Sequence, residues 1–294
     1  MNALTKVSSA RLVFVILISW NNWKDTFRCV ASLEAMDYPN FRTVIIDNGS
    51  TDDSVAQLRS AYPTVPIIEN GRNLGFSGGC NVGIRYALNI GADYVWLLNA
   101  DTAVRPTSLS AMVDCAERDP TVGVVGSILY YMDDPTRIQL WGGGTVNFWI
   151  GRTRSCRKPI KDDELDFICG ASMLIPRATL ESVGLLDEQF FMFWEETDYC
   201  LRLRAAGRRL AVATESVVYH KGSAAFKSKQ MLDSCFTESA RHFFRKHAKF
   251  PGWSFWAGVC LSMFKRIIFG RWKNVLAVWP ERLGQLEERD ASRF

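Results

Sequence analysis

The chain has 294 residues, 48% of them apolar and 22% charged, enough for one large globular unit with a sizeable core. Its net charge of +4 is too small to argue for a nucleic-acid partner, and none is expected. Eight scattered cysteines, with no CxxC pair and no Cys/His cluster, exclude a zinc-binding spacing and argue against a disulfide framework. The first element is the apolar run LVFVILISW (12–20). It follows Lys6 and Arg11 as a signal-peptide core would, but it is short and no small-residue cleavage pattern comes after it, so a buried strand is the better reading. No segment reaches the length of a membrane span.

Further apolar runs at 42–46 and 93–98, with a shorter one near 65–68, predict more strands buried on both faces. Between them Phe27, Val30, Leu33 and Met36 recur at helical spacing, as do Val55 and Leu58, then Val82, Tyr86 and Ile90. Strand–helix alternation predicts an α/β fold, a Rossmann-like and mostly parallel central sheet flanked by helices. Such sheets bind ligands beyond the carboxyl ends of their strands. Three loops therefore share one rim: SWNN (19–22), DNGSTDDS (47–54) and NADT (99–102).

The texture changes near 122. VGVVGSILYY predicts a strand, WGGG (141–144) and the basic GRTRSCRKPIK follow, and DFICGASMLI predicts a strand leading to a helix with Pro176 in its first turn. FMFWEETDYCLRLRAAG (191–207) runs from an aromatic stretch into a helix stopped by Gly207, and RRLAVATESVVYHKGSA adds one or two strands.

Each polar cluster has a local reading and a chemical one. Asp47 and Asn48 suit an Asx turn and a helix cap, or the imide edge of a pyrimidine base. The glycine-rich 70–84 segment lacks P-loop order, although its amides could approach a phosphate. Asp101 either caps a helix starting at Pro106 or binds Mg²⁺ or Mn²⁺, for which one carboxylate is not enough. Asp198 and Arg202 form an i,i+4 pair, with Glu195 on the same stripe; Glu196 is rotated about 100° from Glu195 and faces elsewhere. The helix dipole alone would account for both glutamates. His220, at the end of SVVY, is an ordinary strand-end histidine or the best nitrogen donor to join Asp101.

In order, VIIDNGSTDDS, NLGFSGGCNVGI, LLNADT, FMFWEETDYCLRLRAAG and YHKGSA resemble the successive blocks of glycosyltransferase family 2, of the GT-A fold, over about residues 12–225. The pattern is similar to bacterial enzymes of lipopolysaccharide, O-antigen and capsule synthesis, rhamnosyltransferases among them. The resemblance implies that Asp47 and Asn48 contact the nucleobase with Ser19 and Asn21, and that Asn73, Gly75 and Asn81 line the donor site. It makes Asp101 the surviving carboxylate of the DXD motif, with Asn99 in place of the first acid, and His220 its partner on the metal. Glu196 takes the catalytic-base position, where Asp is common, and Glu195 remains an alternative.

The implied activity is inverting, metal-dependent transfer from a UDP- or dTDP-sugar to a hydroxyl of a glycan or lipid-linked acceptor. Rivals are a sugar-nucleotide pyrophosphorylase of related fold, disfavoured because SWNNWKD is not its glycine-rich basic loop, and a silent nucleotide-sugar-binding module. Residues 1–225 form the expected catalytic domain and 226–294 a helical extension. From Ser239 to Pro280 the extension has no acidic residue, and it mixes Trp253, Trp256, Trp272 and Trp279 with lysines and arginines. It predicts either a helix on an anionic membrane surface, placing a cytoplasmic protein at the inner face of the membrane, or a packed helix with a solvated basic face.

Overall fold

The computed structural model describes residues 10–222 and 229–268, without the side chains of 229–231. The chain runs β1 (Val13–Ser19), α1 (Trp23–Leu33), β2 (Phe41–Asp47), α2 (Ser54–Ala61), β3 (Ile67–Glu69), α3 (Gly75–Asn89) and β4 (Tyr94–Asn99). There follow β5 (Thr102–Val104), α4 (Ser108–Arg118), β6 (Val122–Tyr131), β7 (Ile138–Trp141), β8 (Gly143–Asn147), β9 (Arg152–Ser155), β10 (Phe167–Ile168) and β11 (Ser172–Pro176). The last elements are α5 (Arg177–Val183), α6 (Glu195–Ala205), β12 (Arg209–His220), α7 (Lys229–His247) and α8 (Pro251–Ile268).

The main sheet has the order β3-β2-β1-β4-β11-β6-β12-β5, with β7 beside β6, and β10-β8-β9 form a small second sheet. The four amino-terminal strands are parallel, as expected for βαβ units. Beyond them β11 pairs antiparallel with both β4 and β6, so the sheet is mixed. Because successive side chains alternate between faces, Val13, Val15 and Leu17 enter one apolar layer and Phe14 and Ile16 the other. That is why β1 reads as an unbroken apolar run.

Register fixes the rim. Ser19 lies opposite Asp47, and Ile18 opposite Asn99, so β1, β2 and β4 end level and release their loops on one side. The helix after NADT starts at Ser108, and β5 intervenes, so Asp101 does not cap it. Pro176 closes β11 and precedes α5 rather than sitting in its first turn.

A third apolar cluster lies outside the two layers. Phe190 and Trp194 pack there with Phe243 and Phe244 of α7 and Phe255 and Val259 of α8. Trp194 stands 4.6 Å from the Phe243 ring and 5.2 Å from that of Phe244. The carboxy-terminal helices are thus built onto the segment that starts α6. The expected boundary at 225/226, with Ser223 and Ala224 of YHKGSA and with Trp272 and Trp279, lies outside the described residues.

Candidate active site

The first rim loop and the β2 loop interlock. Asn21, at a left-handed φ of 50°, accepts from the Thr51 amide through Oδ1 at 2.8 Å, and its own amide donates to Ser50 Oγ at 2.9 Å. Asp47 is 4% exposed; its Oδ2 accepts the Ser50 amide at 3.1 Å, while Oδ1 is buried with no partner. A buried carboxylate oxygen left unsatisfied is costly unless a donor arrives from a ligand. Asn48 has no such vacancy. Its amide nitrogen donates to Asn73 Oδ1 and the Gly75 carbonyl, and its oxygen accepts from Asn70 Nδ2 and the Leu74 amide. Asn48 is therefore the peg that shapes the 70–75 loop, not a reader of a base.

Two more expected donor contacts prove internal. Ser19 Oγ pairs with Thr26 Oγ1 at 3.0 Å. Asn81 is buried on α3 with its amide donating to the Leu186 carbonyl and Glu188, and its oxygen accepting from the Leu186 amide. It anchors the 186–188 loop. Asn73 stays on the rim, where its Oδ1 also accepts the Gly75 amide at 2.9 Å. Gly75 begins α3 at φ +73°, and a Cβ there would stand 2.3 Å from the Phe191 carbonyl oxygen. The next amide, of Phe76, donates to that same oxygen at 2.7 Å.

The Asp101 end is assembled by strand pairing. β12 runs antiparallel to β5 with His220 opposite Thr102, and the Lys221 amide donates to the Asp101 carbonyl. His220 Nε2 consequently lies 3.3 Å from Asp101 Oδ1 and 3.4 Å from Asn99 Nδ2. On the other side of the ring, Nδ1 lies 2.7 Å from Gln139 Oε1, which can only accept, so Nδ1 carries the proton. In the neutral ring Nε2 then offers a lone pair toward the carboxylate. Two acceptors facing one another suit a cation between them, with Gln139 fixing the imidazole from behind. Among the described residues no group of three or more His, Cys, Asp and Glu is gathered for a metal. Such a pair fits a divalent ion that takes its remaining ligands from substrate phosphates. Lys221 adds a link back to the first loop through Asp25, at 2.8 Å.

The glutamates sit at the start of α6 behind two consecutive aromatic residues in left-handed backbone, Phe193 (φ 70°) and Trp194 (φ 69°). Non-glycine residues occupy that region only when surrounding packing imposes it; here the third cluster does. Glu195 is 5% exposed, and its Oε2 has no partner. Burial first, then the neighbouring Glu196 charge, holds its carboxyl well above the usual range. Glu196 is partly exposed, and burial pushes it up to about 7. Its Oε2 also lacks a partner.

Residues 169–171 join the two ends. The Ala171 carbonyl accepts the Asn99 amide at 3.1 Å, two residues before Asp101, and a Cβ on Gly170 would stand 3.7 Å from Glu196 Cβ. The Cys169 thiol is pushed up to about 12, first by burial, then by the charge of Glu196, with Glu195 and Asp101 adding to it. Asp101 with His220 and Glu196 are thus linked through the short 169–171 segment at the carboxyl-end side of β4. A cavity of about 450 Å³ lies at the opposite end of the strands beside Phe14, Phe41 and Thr43, away from these groups.

The family model described as Glycosyl transferase family 2 matches residues 14–184, more than half of the chain. The chain belongs to glycosyltransferase family 2. This family-2 glycosyltransferase is 27% identical over 231 residues to the N-acetylglucosaminyl-diphospho-decaprenol L-rhamnosyltransferase of Mycobacterium tuberculosis, covering 70% of its own length and 75% of that protein. Against the galactofuranosyltransferase GlfT1 of Mycolicibacterium smegmatis, identity is 31% over 196 residues and 63% of each chain. The mannosyltransferase PcManGT from Pyrobaculum calidifontis, solved with GDP-Man and Mn²⁺, superposes with a TM-score of 0.62 at 15% identity, over 89% of this chain and 76% of that one, which supports the GT-A fold. Membership in this family sets the pyrophosphorylase reading aside.

Proposed function

We propose that this glycosyltransferase moves a sugar from a UDP- or dTDP-sugar to a hydroxyl of a lipid-linked glycan in cell-surface polysaccharide synthesis, with inversion. The observation that carries this reading is the 169–171 segment, which bonds to Asn99 beside the Asp101–His220 pair at one end and lies against Glu196 at the other. Asp47 Oδ1, the buried acceptor without a partner, receives the imide N–H of uracil or thymine. Asp101 and His220 Nε2 would hold Mn²⁺ or Mg²⁺ together with the diphosphate. When bound, the ion supplies charge stabilisation to the departing nucleoside diphosphate. Glu196, whose carboxyl lies near the operating pH, takes the proton of the acceptor hydroxyl as it attacks the anomeric carbon from the face opposite the leaving group. Glu195, more deeply buried and with its carboxyl held well above the usual range, is less accessible to an acceptor hydroxyl. A lipid-borne acceptor follows the decaprenol-linked substrate in the tuberculosis relative's name, and the enzyme would work peripherally at the inner face of the cytoplasmic membrane.

Donor screening with a polyprenyl-diphosphate glycan tests the proposal. Glu196→Gln is expected to lower kcat by about 10²- to 10⁴-fold while UDP or dTDP binding, read by calorimetry, survives. Glu195→Gln retains most activity. Chelation should stop turnover, and NMR of the product should show the inverted anomer. An active Glu196→Gln enzyme overturns the assignment of the base.

A further inference from the structure

Helix α8 is apolar on two faces. Its inner face, Ser254, Phe255, Gly258 and Val259, is buried on the third cluster. Its outer face repeats at helical spacing through Trp253, Trp256, Cys260, Phe264 and Ile267, with Trp253 64% and Phe264 59% exposed. The inner stripe is accounted for by packing, whereas Trp253, Cys260, Phe264 and Ile267 of the outer one are exposed.

A second, distant piece of chain joins that outer face. The turn between β8 and β9 carries Trp149, 70% exposed, and Ile150, 44% exposed. Gly151, at φ +59°, is pressed so closely onto α8 that a Cβ would stand 1.9 Å from the Ser254 carbonyl oxygen. A Cβ on Gly258 would meet the Gly151 carbonyl at 2.5 Å. Held by that contact, Trp149 accepts the Trp253 indole N–H on its carbonyl at 3.1 Å and lies 6.3 Å from the Phe250 ring. Four aromatic side chains from two regions of sequence therefore project together: Trp149, Phe250, Trp253 and Phe264.

The surroundings of this face are cationic. Arg245, Lys249 and Lys265 are exposed, and no Asp or Glu occurs between Ser239 and Ile268. A contiguous aromatic surface with indoles and a predominantly basic rim, in which Asp233 is taken up by Arg266 at 2.8 Å, matches a lipid headgroup interface in both polarity and charge. Eighteen residues of helix, about 27 Å, can lie along such an interface. No helix among the described residues is long and apolar enough to cross a membrane.

We infer that α8 and the 148–150 turn form one docking face for an anionic phospholipid bilayer. The proposal extends the peripheral, lipid-acceptor reading above, but it stands on this surface and is tested apart from catalysis. Docking in this manner would bring the third cluster, which holds the glutamate turn, next to the headgroup layer where a lipid-borne hydroxyl emerges.

The test is co-sedimentation of the full chain with vesicles of phosphatidylcholine alone and of phosphatidylcholine mixed with phosphatidylglycerol. The full chain is expected to pellet with the mixed vesicles, less so at high salt, with a blue shift of tryptophan emission. Trp149→Ser and Phe264→Ser, both at exposed positions, should each weaken binding about tenfold or more, and Lys249→Glu with Lys265→Glu should remove the preference for phosphatidylglycerol. Transfer to a water-soluble acceptor should be unchanged in these variants. Two results overturn the proposal: a full chain that stays in the supernatant with both vesicles, or Ser variants that bind as tightly as the parent. A dimer in gel filtration that Trp253→Ser converts to monomer would assign the face to a second copy instead. If docking fails while soluble transfer persists, the enzymatic reading stands without it; if docking holds but transfer is absent, the reverse applies.

Discussion

Burial raises the Glu196 carboxyl, and in the proposed role of base it sets the pH at which the residue acts. Its carboxyl is raised to about 7, so it carries a proton below that value and becomes a base above it. Turnover is expected to fall as pH drops through about 7 and to level off on the alkaline side, a profile readable from kcat at saturating substrates. Gln139 offers a second test one residue removed from the chemistry. Its carbonyl oxygen selects the His220 tautomer that leaves Nε2 free. Gln139→Ala should raise the Mn²⁺ concentration needed for half-maximal activity by about 10- to 100-fold, with kcat at saturating metal little changed. Asp47, Asp101 and His220 stand out in the sequence as candidates because each is a polar residue at or just past the end of an apolar strand. Asn48 also follows an apolar strand and Asn81 lies in the glycine-rich 70–84 segment, yet their partners lie 22–27 and 105–107 positions away. No local pattern announces such partners, and nothing around Gln139 marks it until β7 is laid beside β6.

Helix α6 is fixed from both ends of its first turns. Asp198, fully buried, accepts Arg202 Nε at 2.8 Å, Lys246 Nζ at 2.7 Å and His247 Nε2 at 2.7 Å. Arg202 continues to the carbonyls of Val183 and Leu185. Burial opposes the charge on Asp198, but the hydrogen bonds from His247, Lys246 and Arg202, with the Arg202 charge, prevail and hold the carboxyl down to about 2. Since the folded value lies below the unfolded one, the stabilisation is complete above pH ~4 and is lost as pH falls through about 2. Asp198→Asn should therefore cost about 2.5 kcal/mol at pH 7 by denaturant titration, and the gap should close in strong acid. The Asp198–Arg202 pair was legible as an i,i+4 spacing. Lys246 and His247 were not, because they arrive from another helix. The antiparallel setting of β11 was hidden for a related reason: an apolar run reads identically in either direction.

In the molecule as a whole, the carboxy-terminal helices are structural members of the catalytic unit as much as an extension of it. Composition separated them correctly as basic and aromatic. What composition could not reveal is that α7 and α8 bury the very aromatic residues that force Phe193 and Trp194 into left-handed backbone. The two strained residues, at roughly 1–3 kcal/mol each, persist because that packing is stronger. Legibility thus ended where two sequence-distant surfaces meet. Repeated strand ends betrayed the rim, whereas the arrangement holding the base in place had no local signature.

The contact between Gly75 and Phe191 ties the half of the site proposed for the nucleotide to the half proposed to take up the proton. At that point the two halves share one carbonyl oxygen, leaving no room for so much as a methyl group. Injury there cannot stay on one side. Gly75→Ala is expected to weaken donor affinity and slow the chemical step together, visible as a higher KM for the nucleotide-sugar and a lower kcat in one initial-velocity series. A lone rise in KM would mean that the seam is slack and the halves operate as separate parts.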